Sequence, residues 1–224
     1  MIESGSSEEK SNGLAWSFTP DPSLPNVLIL GDSISIGYTL KVRRRLAGIA
    51  NVFRPLNNGD KTPANCVDTG KGVKSLSQWL GARHWNVIHF NFGLHDVKYL
   101  DETGKYVTSD KGRQVSPPKT YEENLRRIVD ALKKTGASLI WCSTTPIPEG
   151  AQGRVKGDEG VYNDIAENVM KENGIAIDDL YSLMAPRCAE LQKPHDVHFT
   201  EQGSDVQAEA VAGIIKNHLP AKTQ

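Results

Sequence analysis

A serine near the start of the chain and an Asp–His pair near its end are the residue types of nucleophilic catalysis. Ser33 directly follows the apolar run 26–30, and Asp196 and His198 precede the last amphipathic segment. A histidine oriented by a carboxylate can act as general base, and a serine beside it becomes a nucleophile towards acyl groups. Each signal also fits a plainer interpretation, because serine caps helices and Asp and His are common in surface turns.

A second histidine follows another apolar run. His95 and Asp96 come after 87–92, with Gly93 allowing a tight turn between them and the run. His95 would then point into the same crevice as Ser33. A loop histidine bonded to backbone, and an aspartate that caps a short helix, are the plainer alternatives.

Short apolar runs alternate with amphipathic segments, which predicts a three-layer α/β/α sandwich around a mainly parallel sheet of about five strands. The predicted strands are 26–30, 51–53, 87–92, 138–143 and 175–177. The predicted helices are 39–46, 76–80 and three longer amphipathic helices. The first of these begins at a Thr120–Glu123 capping box and has the apolar stripe Leu125, Ile128, Val129 and Leu132. The second has the stripe Val161, Ile165 and Val169, and the third is capped by Thr200 and has the stripe Val206, Ala210, Val211 and Ile214. The polar stretch 101–118 predicts a hairpin of 106–108 with 114–116.

In such a sheet, ligands bind at the carboxyl ends of the strands, where Ser33 and His95 stand. Residues 1–24 are polar and predict a flexible N-terminal arm, with Trp16 and Phe18 as candidate contacts to the body. Residues 25–224 predict a single catalytic domain, a usual size for one domain.

Composition excludes several classes of function. The formal net charge of −1 lacks the basic excess of a nucleic-acid or anionic-membrane binder, and no run approaches the roughly 18 apolar residues of a membrane span. Three cysteines without a CxxC pair disfavour a zinc ribbon or thioredoxin-type site, and Cys142 reads as a core residue. Met1–Lys10 lacks the apolar core of a signal peptide. The compartment stays open, and the alternatives include a periplasmic or secreted protein whose export signal is absent from this sequence. The oligomeric state is also open.

Together the three segments resemble the SGNH (GDSL-type) hydrolase family. Residues 31–35 (GDSIS) are similar to its first block, 93–96 (GLHD) to its third and 196–198 (DVH) to its last, and the resemblance runs from Asn26 to about Ile215. Residues 85–96 (WNVIHFNFGLHD) are similar to the bacterial, often carbohydrate-active branch. The resemblance implies a flavodoxin-like fold and ester hydrolysis without metal or cofactor, with Ser33 as nucleophile, His198 as base and Asp196 as acid. The α/β-hydrolase elbow is disfavoured because Ser35 replaces its second glycine.

Three departures from the family pattern leave choices. The third block has His95 where the family has an asparagine, and an imidazole N–H can also donate to an oxyanion. The second block best matches 65–69 (NCVDT), with Val67 at the usual glycine position and Gly70 or Gly72 as alternatives. The implied oxyanion hole is therefore Ser33, Val67 and His95. The family's acid stands three residues before the histidine, which is His195 here; either the loop bends so that Asp196 reaches His198, as we favour, or a Ser–His dyad operates.

A small-molecule or oligosaccharide ester is the expected substrate. Only 7 % of residues are aromatic and the mean hydropathy is −0.43, which favours a shallow site for a short acyl group, such as acetyl on a sugar. The polar loops 101–116 and 149–158 either line a carbohydrate groove, with Arg154 or Lys156 contacting an acidic sugar, or are solvated surface. The candidate substrate contacts are Asp32, Asp96 and Arg154.

Two alternatives to the serine esterase are kept. A metal-dependent hydrolase would draw ligands from His89, His95, His195, His198, Asp96 and Asp196, although no HExxH spacing is present. A catalytically inactive member of the same fold would bind carbohydrate without turnover.

Overall fold

The computed structural model describes residues 16–57 and 62–221, and a five-stranded parallel sheet lies at its centre. The strands are β1 (Asn26–Leu30), β2 (Asn51–Phe53), β3 (Val87–Phe90), β4 (Tyr99–Leu100), β5 (Arg113–Gln114), β6 (Ser138–Cys142) and β7 (Ala176–Asp178). The parallel sheet has the order β2-β1-β3-β6-β7, and β4 pairs with β5 as a separate antiparallel ribbon.

The described helices flank this sheet. They are α1 (Ser33–Arg45), α2 (Thr69–Leu80), α3 (Pro118–Lys133), α4 (Asp158–Glu172), α5 (Leu180–Met184), α6 (Cys188–Leu191) and α7 (Glu201–His218), with a 3₁₀ turn at Ala185–Arg187. None of the helices in the described ranges combines the length and apolar character needed to cross a membrane.

The strand order explains how the helices divide between the two faces. The chain moves one way across the sheet from β1 to β2 and the other way from β2 through β7, so right-handed crossovers place α1 opposite α2, α3 and α4. Contacts agree, since α1 packs against α7 while α3 packs against both α2 and α4. Val27 to Leu30 are at most 1 % exposed, as expected for a strand covered on both faces. The predicted three-layer, mainly parallel α/β fold is confirmed.

The reversal of direction at β1 creates a crevice between the carboxyl ends of β1 and β3. Two helices begin there earlier than the sequence predicted, at Ser33 instead of Thr39 and at Thr69 instead of Leu76. Aspartate caps explain both differences: Asp32 accepts a hydrogen bond from the backbone of Ile34, and Asp68 from that of Lys71. Ser33 is therefore the first residue of α1.

Two predicted local features are wrong. The Thr120–Glu123 capping box does not form, because α3 begins at Pro118, whose ring suits the first turn of a helix. The hairpin predicted for 106–108 with 114–116 is replaced by the β4–β5 pair, and Tyr106 instead forms an isolated bridge to Leu100.

In the last two long helices the predicted buried stripes are partly right: Val169 and Val211 are buried as predicted, but other members are shifted by about one residue. Val161 on α4 is 51 % exposed, while its neighbour Tyr162 is buried. On α7, Thr200 caps the helix as predicted, but Ile214 is only partly buried and Ile215 faces the core. Apolar residues stand at both neighbouring positions, so periodicity alone does not choose between them.

Residues 1–15 of the predicted arm lie outside the described residues. Phe18 packs on the Phe53 ring at 4.9 Å between centroids, and the Asp21 backbone donates to the Asn51 side chain. Trp16 is partly buried. The division into an arm, 1–24, and one domain, 25–224, stays a prediction. Cys66, Cys142 and Cys188 are free thiols, and Cys142 lies in the core as predicted.

Candidate active site

Gly31 lets the chain turn sharply between β1 and α1. Its φ is +156°, and a Cβ at this position would lie 2.8 Å from Ser35 Oγ, so no larger residue fits without displacement. Arg54, which follows β2 and is fully buried, fixes the same turn by donating hydrogen bonds to the carbonyls of Gly31, Asp32 and Ala64 and to Ser35 Oγ. The Arg54 guanidinium therefore stabilises the turn that carries Ser33.

The structure brings Ser33, His198 and Asp196 into one hydrogen-bonded row. Ser33 Oγ lies 2.8 Å from His198 Nε2, and His198 Nδ1 lies 2.6 Å from Asp196 Oδ1. The His198 backbone N–H also donates to Asp196 Oδ1, at 3.1 Å. Burial acts to raise the pKa of Asp196, but these hydrogen bonds outweigh it, and the pKa lies below its usual value. A carboxylate that stays ionised is suited to hold an imidazole in one tautomer.

His195, the alternative acid position, points elsewhere. Its Nδ1 lies 2.8 Å from the carbonyl oxygen of Glu149, to which it donates. Its backbone is left-handed, with φ +57°, and this bend allows Asp196 to reach a histidine only two residues further on. The spacing that departs from the family pattern is therefore compensated by backbone conformation.

Beside Ser33, His95 extends from the loop after β3. Gly93 begins this loop, and a Cβ there would overlap Thr144 Oγ1. His95 Nδ1 lies 2.9 Å from Lys98 Nζ, which also donates to the Tyr106 hydroxyl at 2.9 Å. Burial, and then the charges of Lys98, Arg154 and His198, lower the pKa of His95 to about 3. The imidazole is therefore neutral at ordinary pH.

The segment that resembles the second block presents a side chain as well as backbone. Val67 has φ +60°, and its N–H donates to Asn65 Oδ1 at 2.9 Å, so the donor predicted for the oxyanion is already engaged. Asn65 lines the cavity beside Ser33, and its amide nitrogen is an additional donor that the sequence analysis missed. The alternatives Gly70 and Gly72 lie within α2, where the Gly72 N–H donates to the Asp68 carbonyl.

Asp96 was predicted as a substrate contact, and this prediction is wrong. Its side chain is fully buried and accepts hydrogen bonds from the Thr69 hydroxyl, at 2.6 Å, and from the Thr69 backbone, at 3.0 Å. Asp96 therefore ties the β3 loop to the start of α2. Burial, the dominant influence, raises its pKa to about 7.

We expect the Asp96 carboxyl to make stability fall with rising pH. Between its ordinary pKa of 3.8 and about 7, the folded chain keeps a proton that the unfolded chain has lost, which lowers the free energy of unfolding by up to about 4 kcal/mol from pH 4 to pH 8. Asp96→Asn removes this titration, so its Tm should fall less between pH 5 and pH 8 than that of the wild type. Asp130→Asn, on the exposed face of α3, is the control and should follow the wild type. Equal declines for Asp96→Asn and wild type would contradict the assignment.

Asp32 and Arg154, the other predicted substrate contacts, both border the cavity. The Asp32 carboxylate is 1 % exposed, its Oδ1 caps α1 and burial raises its pKa. Arg154 Nε donates to the Leu94 carbonyl at 2.7 Å, which fixes its guanidinium at the cavity wall. Lys156 is exposed and does not line this cavity.

Ser33 and His198 stand on the border between two clefts. One has a volume of about 500 Å³ and contains His95, Lys98 and Arg154. The other has a volume of about 390 Å³ and is lined by polar groups with Ile34 and Phe199 as its large apolar side chains. A third cavity, of about 630 Å³, lies between α2 and α3 and holds none of the predicted site residues.

Comparison with known protein families finds a match over most of the chain. Residues 29–206 match the GDSL-like lipase/acylhydrolase family, a span that begins in β1 and ends in α7. The chain belongs to this family. It is a hydrolase of carboxylic esters, and the predicted SGNH (GDSL-type) resemblance is confirmed.

Solved structures share the fold of this GDSL-family hydrolase. The lipase/acylhydrolase from Enterococcus faecalis has a TM-score of 0.68 and 20 % identity over 89 % of this chain and 100 % of its own. The acetyl xylan esterase AlAXEase has a TM-score of 0.66 and 14 % identity, covering 85 % and 99 %. Axe2, an acetylxylan esterase from Geobacillus stearothermophilus, has a TM-score of 0.64 and 15 % identity, covering 85 % and 94 %. A comparison with curated proteins finds no match.

Several ligands of the metal alternative are engaged by other partners in this hydrolase, although His95, His195, Asp196 and His198 line one cavity. His195 bonds to a backbone carbonyl and Asp96 to Thr69, as described above, while His89 pairs with Asp178 at 2.9 Å in the core. His89, Asp178 and Cys142 form a compact group, but all three are buried in the core and none of them lines either cleft that contains Ser33.

Proposed function

We propose that this hydrolase is a serine esterase that removes short acyl groups, acetyl above all, from carbohydrate. The observation that carries the proposal is the row from Ser33 Oγ through His198 to Asp196, with separations of 2.8 and 2.6 Å, at the edge of a polar cavity. Those groups support a two-step acyl transfer with a covalent intermediate.

In the first step, Ser33 Oγ attacks the ester carbonyl carbon while His198 Nε2 takes the hydroxyl proton. Asp196 holds the Nδ1–H tautomer and stabilises the imidazolium. The tetrahedral intermediate collapses, the C–O bond to the alcohol breaks, and His198 returns the proton to the departing alkoxide. Water, deprotonated by His198, then hydrolyses the acyl-enzyme and regenerates Ser33.

The negative charge that develops on the carbonyl oxygen requires donors. Because Ser33 is the first residue of α1, its N–H has no partner within the helix, and the helix dipole favours negative charge there. His95 and the Asn65 amide border the same cavity. Each donor of this kind contributes about 3 kcal/mol in the transition state. Asn65 takes over, in this proposal, the position predicted for Val67.

The lining of the site favours a small acyl group and a polar alcohol. Apolar side chains are few in both clefts, and Leu94 and Val197 are the aliphatic ones of useful size in the larger cleft. Arg154 and Tyr106 present donors and a ring to that cleft, which suits sugar hydroxyls. Two structures of the same fold are those of acetyl xylan esterases, which agrees with this substrate class.

Acyl chain length gives the test of this substrate class. We expect kcat/KM for para-nitrophenyl acetate to exceed that for the octanoate by about tenfold or more, since neither cleft offers a long apolar wall. Acetate release from an acetylated xylo-oligosaccharide, with Ser33→Ala as the blank, tests the alcohol side. Faster turnover of the octanoate would overturn the acyl assignment, and sugar binding without any ester turnover would favour the inactive carbohydrate-binding alternative.

A further inference from the structure

A buried lysine lies directly behind His95. Lys98 is 8 % exposed, and its Nζ donates to His95 Nδ1 and to the Tyr106 hydroxyl. Both partners are uncharged, whereas a buried ammonium is usually compensated by a carboxylate. Burial lowers the pKa of Lys98, which shows that this position costs the charged form free energy. A costly charge kept beside a reactive centre indicates a role in the chemistry.

The hydrogen bond from Lys98 decides where the His95 proton lies. An ammonium has three donors and no acceptor, so His95 Nδ1 must offer its lone pair. A neutral imidazole then carries its single proton on Nε2. Within the described residues, that Nε2–H has no hydrogen-bond partner, and His95 lines the cavity that contains Ser33 and His198.

Tyr106 keeps the lysine in place from the other side. Its hydroxyl accepts from Lys98 Nζ, and its ring lies 5.1 Å from the ammonium. The ring rests against Gly153, where a Cβ would approach it to 2.7 Å, so the loop around Gly153 fixes the tyrosine in turn. Lys98 is therefore held between an imidazole and a phenol, with a defined direction for its donor to His95.

We propose that Lys98 is a positioning residue that fixes His95 as the Nε2–H tautomer, so that this N–H is always available to donate to the substrate oxyanion of the tetrahedral intermediate formed at Ser33. This role rests on the esterase mechanism proposed above. An asparagine amide needs no such device, because its NH₂ group always donates, whereas a neutral histidine has two tautomers and only one of them can serve. The ammonium also polarises the ring, which strengthens the Nε2–H as a donor.

The test uses Lys98→Met, which keeps the aliphatic stem, and Lys98→Arg, which keeps a charged donor. Lys111→Met, at an exposed position of the same polar excursion, is the matched control. We expect Lys98→Met to lower kcat about 10- to 100-fold with little change in KM. Lys98→Arg should retain most of the wild-type kcat, and Lys111→Met should have the same kcat and KM as the wild type. Nitrogen-15 NMR of the histidine rings should show a non-protonated Nδ1 on His95 in the wild type and mixed tautomers in Lys98→Met.

Each contrary outcome overturns the proposal. A wild-type His95 with its proton on Nδ1 would do so without any variant, which keeps the test valid if Lys98→Met does not fold. If Lys98→Met leaves both kcat and the His95 tautomer unchanged, Lys98 is not a positioning residue. If Lys98→Met raises KM and leaves kcat unchanged, the positioning role is also rejected and Lys98 is assigned to substrate binding. Ser33→Ala separates this proposal from the proposed mechanism. Full esterase activity of Ser33→Ala would defeat the mechanism, whereas the His95 tautomer, measured by NMR in the same variant, tests the role of Lys98 independently of turnover.

Discussion

Replacing Ser33 by alanine is expected to lower kcat for ester hydrolysis by about 10⁶-fold, to the level supported by the remaining donors and binding alone. The reason is that Ser33 Oγ lies 2.8 Å from His198 Nε2, which can deprotonate it, and the acyl-enzyme cannot form without that oxygen. Steady-state kinetics with para-nitrophenyl acetate measures the loss.

The fold should tolerate this substitution. The hydrogen bond of the Ser33 side chain goes to His198, whereas the turn itself is held by Arg54 and capped by Asp32. The Tm of Ser33→Ala is therefore expected to stay within a few degrees of the wild type, with Ser77→Ala, at an exposed serine of α2, as the control for both activity and stability. Full activity in a folded Ser33→Ala would refute the nucleophile assignment.

Asp196→Asn is expected to lower kcat by about 10⁴-fold, far more than His195→Ala. An asparagine amide can donate towards His198 Nδ1 and so favours the tautomer that leaves Nε2 protonated and unable to accept the Ser33 proton. His195 Nδ1 is engaged with the Glu149 carbonyl, so its removal leaves the Ser33–His198–Asp196 row in place. Its left-handed backbone makes alanine slightly destabilising, which a thermal melt would reveal separately.

Kinetics of the two variants, measured at equal folded concentration, decide between the acid assignments. A larger loss in His195→Ala than in Asp196→Asn would move the acid role to the family's usual position. Equal and small losses would instead favour a Ser–His dyad.

Continuous apolar runs made the sheet predictable from sequence. Residues 26–30 and 138–143 have the composition of strands buried on both faces, and their alternation with amphipathic segments gives a parallel sheet with its ligands at the carboxyl ends. That rule placed Ser33 and His95 at one edge of the sheet. The position of His198 came from the resemblance to the family, since a loop before the last helix has no periodicity to fix it.

Residues whose roles depend on tertiary contacts were not predictable from sequence. Asp96 was assigned to substrate because an exposed and a buried aspartate look alike in a sequence, yet Thr69, distant along the chain, buries it. The choice between Asp196 and His195 required the backbone conformation at His195. Arg54 and Lys98 carry no motif, and their importance follows only from what each contacts in the folded chain.

Mass spectrometry of the protein after treatment with a fluorophosphonate tests the activation of Ser33 most directly. An activated serine Oγ attacks phosphorus and displaces fluoride, so we expect one phosphonyl adduct on the peptide that contains Ser33, its formation suppressed in His198→Ala. An unlabelled Ser33, or an adduct that forms on another serine and persists in Ser33→Ala, would contradict a nucleophile at the end of β1.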